Sequence, residues 1–120
     1  MFNKAIITGR LGQDPEVRYT QDGTAVTNLS MATSETYKDK EGSRQEKTEW
    51  HKVVVWGKQA ENVAQYLGKG RLAQIEGKLQ TRSYDKDGET RYVTEIKASN
   101  VIFLPSSNGS GQTDGEPAGG

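Results

Sequence analysis

Between Thr48 and Gly57 the chain reads TEWHKVVVWG, and in an extended strand alternate residues share a face. Trp50, Lys52, Val54 and Trp56 then point one way, and His51, Val53 and Val55 point the other. One face is β-branched and core-like, while the other carries two large aromatics with a lysine between them. Two readings fit that second face. The tryptophans are core, since tryptophan is highly buried on average, or they form an open stacking surface. Lys52 favours the second, because lysine is rarely fully buried without a partner. An aromatic–cation–aromatic row is what holding a single nucleic-acid strand by stacking requires. Every base has a π-face, and each stacked base contributes roughly 1–3 kcal/mol.

Other residues extend the same chemistry. Tyr37 stands at the base of a charged segment, and Tyr84 at the tip of the last hairpin, so each is exposed by position. Singly, each reads equally well as an ordinary surface tyrosine. Arg82 and Tyr84 share the polar side of their strand and repeat the pairing of cation with aromatic. Lys58 and Lys69 bracket a short helix, where a solvated charge is the simpler reading of either alone. His51 points to the core-like face, where a lone histidine is more often a hydrogen-bonded structural residue than a ligand. Taken together, Tyr37, Trp50, Trp56 and Tyr84 with Lys52, Lys58, Lys69 and Arg82 fit a binding channel.

Little else in the chain points to chemistry. There is no cysteine and a single histidine, which removes disulfides, thiolate metal sites and multi-histidine sites. No Gly-x-Ser-x-Gly elbow and no phosphate-binding Gly-x-x-x-x-Gly-Lys-Ser/Thr occurs. The carboxylates are scattered among cations, so a metal-assisted nuclease is a weak option. No metal, no cofactor and no catalytic residue is expected. Charge is less helpful, because 16 Lys and Arg balance 16 Asp and Glu, without the cation excess of a typical nucleic-acid binder. Asp114 and Glu116 fall in the last sixteen residues, which hold no cation, so residues 1–104 carry a net +2. Any attraction for phosphate must come from a local patch.

The elements that position these residues are mostly strands. Ala5 to Gly12 starts a first strand that resumes around Val17-Arg18-Tyr19, and Gln21-Asp22-Gly23 turns the chain. A second strand follows from Ala25 to Ser34, with an alternation that slips between Val26 and Leu29, the mark of a bulge. Lys38 to Lys47 (KDKEGSRQEK) has no apolar residue and reads as a long mobile hairpin loop. Thr48 to Gly57 is the third strand. Ala60, Val63, Ala64 and Leu67 then line one face of a short helix, which Gly68 and Gly70 stop. Arg71 to Tyr84 alternates again, with Ala73, Ile75 and Leu79 on the core side. Asp85 to Gly88 turns, and Glu89 to Leu104 completes a hairpin.

The expected class is all-β. A five-stranded Greek-key barrel with one short helix between strands three and four is the OB-fold, and a small open sheet under one helix fits the pattern almost as well. Residues 105–120 (PSSNGSGQTDGEPAGG) hold no aliphatic side chain larger than alanine, and cannot offset their ordering entropy by burial. One domain over 1–104 and a flexible, disordered tail are expected. No apolar run approaches the roughly 20 residues of a membrane helix, and no secretory signal opens the chain. A cytoplasmic protein with no membrane partner is the simplest reading.

In its local sequences the chain closely resembles the bacterial single-stranded DNA-binding protein family. The matching stretches are Asn3 to Gly12 (NKAIITGRLG), Gln13 to Tyr19 (QDPEVRY), Ala32 to Glu35 (ATSE), Thr48 to Lys58 (TEWHKVVVWGK), Tyr66 to Gly70 (YLGKG) and Ile75 to Arg82 (IEGKLQTR). They stand in family order and spacing across nearly all of residues 1–104. The resemblance implies an OB-fold subunit of a homotetramer, acting with single-stranded DNA on the nucleoid in replication, recombination and repair. It places Tyr37, Trp50, Trp56 and Tyr84 at base-stacking positions. Lys52, Lys58, Lys69 and Arg82 fall at phosphate contacts, and His51 at the subunit interface. Tyr37 and Tyr84 stand where many members carry tryptophan. The family tail normally closes with an acidic run and a hydrophobic tip that recruits replication and repair proteins, whereas this chain reads Gly115 to Gly120 (GEPAGG). Either that tip has been removed or this member lacks it, so tail-mediated partners are not expected. The alternative is an OB-fold subunit of primosome type that works mainly through protein contacts.

Overall fold

A computed structural model of the chain describes residues 1–105. The expected tail, apart from Pro105, lies outside the described residues. Six strands and one helix follow in order: β1 (Ala5–Leu11), β2 (Val17–Tyr19), β3 (Ala25–Lys38), β4 (Arg44–Trp56), α1 (Lys58–Tyr66), β5 (Leu72–Lys86) and β6 (Glu89–Phe103). Five of them close into a barrel in the order β1-β5-β6-β4-β3, and β3 returns to β1 through Arg10↔Ala32 and Leu11↔Met31. All pairs are antiparallel except β4 with β6. The helix sits between the third and fourth barrel strands, which is the OB-fold arrangement. β2, the segment read as a resumption of the first strand, is a separate short strand on the start of β3.

Alternation builds the interior. Leu29 and Met31 on β3, Val53 and Val55 on β4, Ala73 and Ile75 on β5, and Ile96 on β6 are buried together with Leu11. Ala60 and Val63 of α1 and Leu67, which caps it, join that core, and Ala64, beside them on the helix face, is half-buried. Removing a side chain such as Ile75, fully enclosed here, typically costs 2–5 kcal/mol for Ile to Ala.

Three expectations need correction. No bulge separates Val26 from Leu29, because β3 pairs with β4 without a shift from Val26↔Trp56 to Lys38↔Arg44. The apparent slip arises at Thr27, a polar residue in a core phase. It is fully buried, and its hydroxyl donates to the Glu16 carbonyl at 2.7 Å. The register shift of the sheet lies instead between β5 and β6, where Glu76 pairs with Asn100 and Gly77 with Ala98, leaving Ser99 without a partner. The expected long loop over Lys38 to Lys47 is mostly paired strand, and only Asp39 to Ser43 lies outside it. Asp39 closes that turn: its Oδ1 accepts the Glu41 and Ser43 amides at 2.9 and 2.8 Å. Finally, Leu79 shares the pleat of Ala73 and Ile75 but stands beyond the barrel end, 51% exposed.

Candidate nucleic-acid interface

Strand β4 splits its residues as its alternation requires. Val53 and Val55 face inward and are enclosed, whereas Trp50 is 61% exposed and Trp56 42%. The tryptophans are therefore an outer surface and not core. Across on β3 the row faces Ala32 opposite Trp50, Ser30 opposite Lys52 and Asn28 opposite Val54, with Val26 opposite Trp56. Small neighbours leave the row open to a planar ligand.

Trp50 also has a seat. The Gly12 amide donates to the Ser30 carbonyl at 2.8 Å, which fixes the backbone beside the indole. A Cβ on Gly12 would meet the ring's Cζ3 at 2.5 Å. A larger residue there would have to displace the indole, because the ring occupies the space a side chain would take.

The second hairpin brings Arg82 and Tyr84 to the same outer surface. They line a cleft of about 550 Å³ together with Gln13, Ser30, Lys52 and Glu95. Their partners across β6 are Val93 and Arg91. Lys97 lies on this face as well, with its Nζ 6.0 Å from the centroid of the Trp56 ring, at the outer range of a cation–π contact.

Two findings modify the expected roles. The Arg82 Nε donates to Glu95 Oε1 at 2.9 Å, and the Glu95 side chain is buried. That cation is therefore already engaged, and a phosphate would share it with a carboxylate. Tyr37, although exposed, pairs with Gln45 while Trp50 pairs with Ala32. The odd spacing between Ala32 and Tyr37 puts Tyr37 on the opposite pleat face from the tryptophans. It extends the outer end of the β3–β4 hairpin, an arm beyond the barrel, and not the row.

Lys58 opens α1 two residues after Trp56, and Lys69 lies in the turn after the helix, its amide donating to Asp14 Oδ1 at 2.8 Å. Both are exposed. His51 is half-buried on the inner pleat, with Nε2 2.8 Å from the Thr33 hydroxyl. Beside it, Leu79 and Tyr92 line the same shallow depression and stand in the open. Glu95, Lys97, Leu79 and Tyr92 were not singled out as site residues from sequence. For β6 the missing step was carrying the two-residue alternation through Val93, Glu95 and Lys97.

The titration shifts lie away from the row. The Asp39 carboxyl is held below its ordinary value chiefly by the Ser43 amide. Asp22 is lowered chiefly by the Thr20 hydroxyl. The Tyr19 phenol is raised by its hydrogen bond to Glu61 on α1. Among the described residues no three His, Cys, Asp or Glu side chains lie where they could hold a metal ion.

The family comparison agrees with this geometry. The sequence pattern described as the Single-strand binding protein family matches residues 2–104. The chain belongs to that family. Single-stranded DNA-binding protein 1 of Chlorobaculum tepidum is 49% identical over 114 residues, which cover 93% of this chain and 70% of that one. Among solved structures, the Plasmodium falciparum SSB complex with ssDNA superposes with a TM-score of 0.79 at 32% identity, covering 88% of this chain and 96% of that one. A deletion mutant of the single-stranded DNA-binding protein from Thermus aquaticus gives 0.76 at 33% identity, covering 87% of this chain. The match there spans about half of the Thermus chain, 51%.

Proposed function

We propose that this protein binds single-stranded DNA without strong sequence preference, protecting it during replication, recombination and repair, and does no chemistry on it. The observation that carries the reading is the pair of exposed indoles, Trp50 and Trp56, with Lys52 between them on one barrel face. Bases stack on Trp50, Trp56 and Tyr84. Lys52, Lys58, Lys69 and Arg82 meet the phosphates, Arg82 in competition with Glu95. Tyr37 reaches the strand from the arm. Stacking reads no hydrogen-bond pattern, so sequence tolerance follows. Duplex DNA keeps its bases paired and stacked on each other, so it binds poorly.

The subunits assemble as a homotetramer, with His51 at an interface. The exposed Leu79 and Tyr92 beside it support that assignment, since a second copy would remove their apolar surface from water. The protein works in the cytoplasm on the nucleoid. Among the described residues no helix is long and apolar enough to cross a membrane.

Intrinsic tryptophan fluorescence during titration with oligo-dT tests the reading, with duplex DNA as control. Quenching by the single strand alone, weakening as salt rises, is expected, with a slope in log–log form near −0.7 per phosphate neutralised. Absence of both quenching and binding would transfer the function to protein contacts, as in a primosome-type subunit.

A further inference from the structure

A carboxylate stands inside the strand-binding cleft. Among the described residues that line it, Lys52 and Arg82 are the cations and Glu95 is the one acid. Glu95 is also the one buried charged residue of the described fold. Its side chain is 7% exposed, against 53% for its partner Arg82. In the other ion pairs of the described residues both side chains reach water.

The pair is not needed to hold its strands together. β5 and β6 pair without interruption from Gly77↔Ala98 to Lys86↔Glu89. Arg82 and Glu95 sit diagonally in that ladder, with Val93 and Gln80 as their direct partners. The Thr81 and Thr94 hydroxyls, 2.8 Å apart, add a second cross-strand contact beside them.

What the pair does fix is the state of a cation in the cleft. Among the described residues Arg82 donates to Glu95 through Nε alone, which leaves its two terminal nitrogens open. A phosphate can take those nitrogens only beside a carboxylate that already shares the charge. Two anions on one guanidinium repel each other, and more strongly in a cleft than in bulk water. The bond to Glu95 is not simply given up, because a buried carboxylate without its partner is strongly disfavoured.

We infer that Glu95 is a strand-release residue. It keeps Arg82 neutralised between strands, weakens the phosphate contact while a strand is bound, and takes back the full guanidinium charge as the phosphate leaves. The inference rests on the single-strand reading above. Lys52 supplies the standing attraction of the cleft, and Arg82 a contact made and lost at little net change in charge pairing. Such a contact favours exchange over long residence.

The test compares Glu95→Gln with wild type, by stopped-flow dissociation of labelled oligo-dT and by equilibrium binding across a salt series. The amide oxygen still accepts from Arg82 Nε, so the shape stays and the charge goes. Dissociation is expected to slow and affinity to rise, each about tenfold at low salt, the order of one charge-assisted hydrogen bond. The log–log salt slope steepens by about 0.7, one more phosphate neutralised in full. In an Arg82→Met background the same substitution changes affinity by less than about twofold, because the carboxylate acts through Arg82. Glu41→Gln, at an exposed carboxylate in the β3–β4 turn, shows what the change in net charge alone does.

A Glu95→Gln protein that binds and releases like that control overturns the inference. So does weaker binding with an unchanged thermal midpoint, which would make Glu95 a support that orients Arg82 for the phosphate. A gain that persists undiminished in the Arg82→Met background also overturns it, since the carboxylate would then repel the strand without involving Arg82. If Glu95→Gln does not fold, Glu95→Met, which leaves no buried polar group, decides by the same measurements. Wild-type protein that does not bind oligo-dT would defeat the single-strand reading itself, whereas wild-type binding with an unaltered Glu95→Gln defeats only the release role.

Discussion

The two long hairpins, β3–β4 and β5–β6, both outrun the barrel and each carries one tyrosine near its end, yet they present it differently. Tyr84 falls on the outer pleat with Arg82 and joins the cleft that contains Lys52. Tyr37 falls on the inner pleat of its hairpin. The turns differ as well. Asp87 and Gly88 close β5–β6 with φ of 53° and 78°, a two-residue turn whose twist matches the strands it joins. The β3–β4 turn is longer and depends on the Asp39 carboxylate for its hydrogen bonds. An aromatic near a hairpin tip thus joins a stacking face only if its parity along the strand agrees, and position near the tip does not decide that.

The largest effect should come from the residue both hairpins surround. Trp50→Ala should weaken oligo-dT binding by roughly 10- to 100-fold, the equivalent of one lost stacked base. Anisotropy of a labelled oligonucleotide measures it, and Trp50→Phe should restore most of the loss. Tyr84→Ala should cost about tenfold by the same measurement, at the lower end of the stacking range. Tyr37→Ala should cost no more than about threefold, less than one full stacking contact. Equal losses at the two tyrosines would break the comparison by showing that the arm folds Tyr37 onto the row when DNA binds.

Gly12→Ala sharpens the comparison from the barrel side. The added methyl must tilt the Trp50 ring, whose far edge is the atom in the way. Binding should fall about fivefold, short of a complete stacking loss, while the thermal midpoint stays close to wild type. A variant with unchanged affinity and quenching would show that Trp50 does not need its seat.

The smallest effect is confined to the arm turn. The folded Asp39 carboxyl lies below its ordinary 3.8, so its contribution is fully present above that value and is lost as pH falls through the depressed folded one. The amides of Glu41 and Ser43 should exchange faster with solvent as pH drops below about 4, once the intrinsic pH dependence of exchange is removed. Asp39→Asn should abolish that pH dependence. The β5–β6 turn, closed by backbone conformation, is the internal reference.

Alternation of side chains is intrinsic to an extended chain, which is why the face of Trp50, Lys52 and Trp56 was legible before any fold was known. The helix stripe of Ala60, Val63 and Leu67 and a turn within Asp85 to Gly88, which the structure narrows to Asp87 and Gly88, were legible for the same local reason. Reading stopped where neighbours come from distant strands. Thr27 looked like a break in the core pattern because its partner, the Glu16 carbonyl, becomes adjacent only when β2 lies along β3. Arg82 looked free until Glu95 came diagonally across from it on the β5–β6 pair. Lys97 reaches Trp56 through the parallel contact of β6 with β4, and Gly12 meets Trp50 where β1 gives way beside β3. Which way a side chain points follows from the bond geometry of its own strand. What it touches depends on barrel closure and register, which bring together residues far apart along the chain.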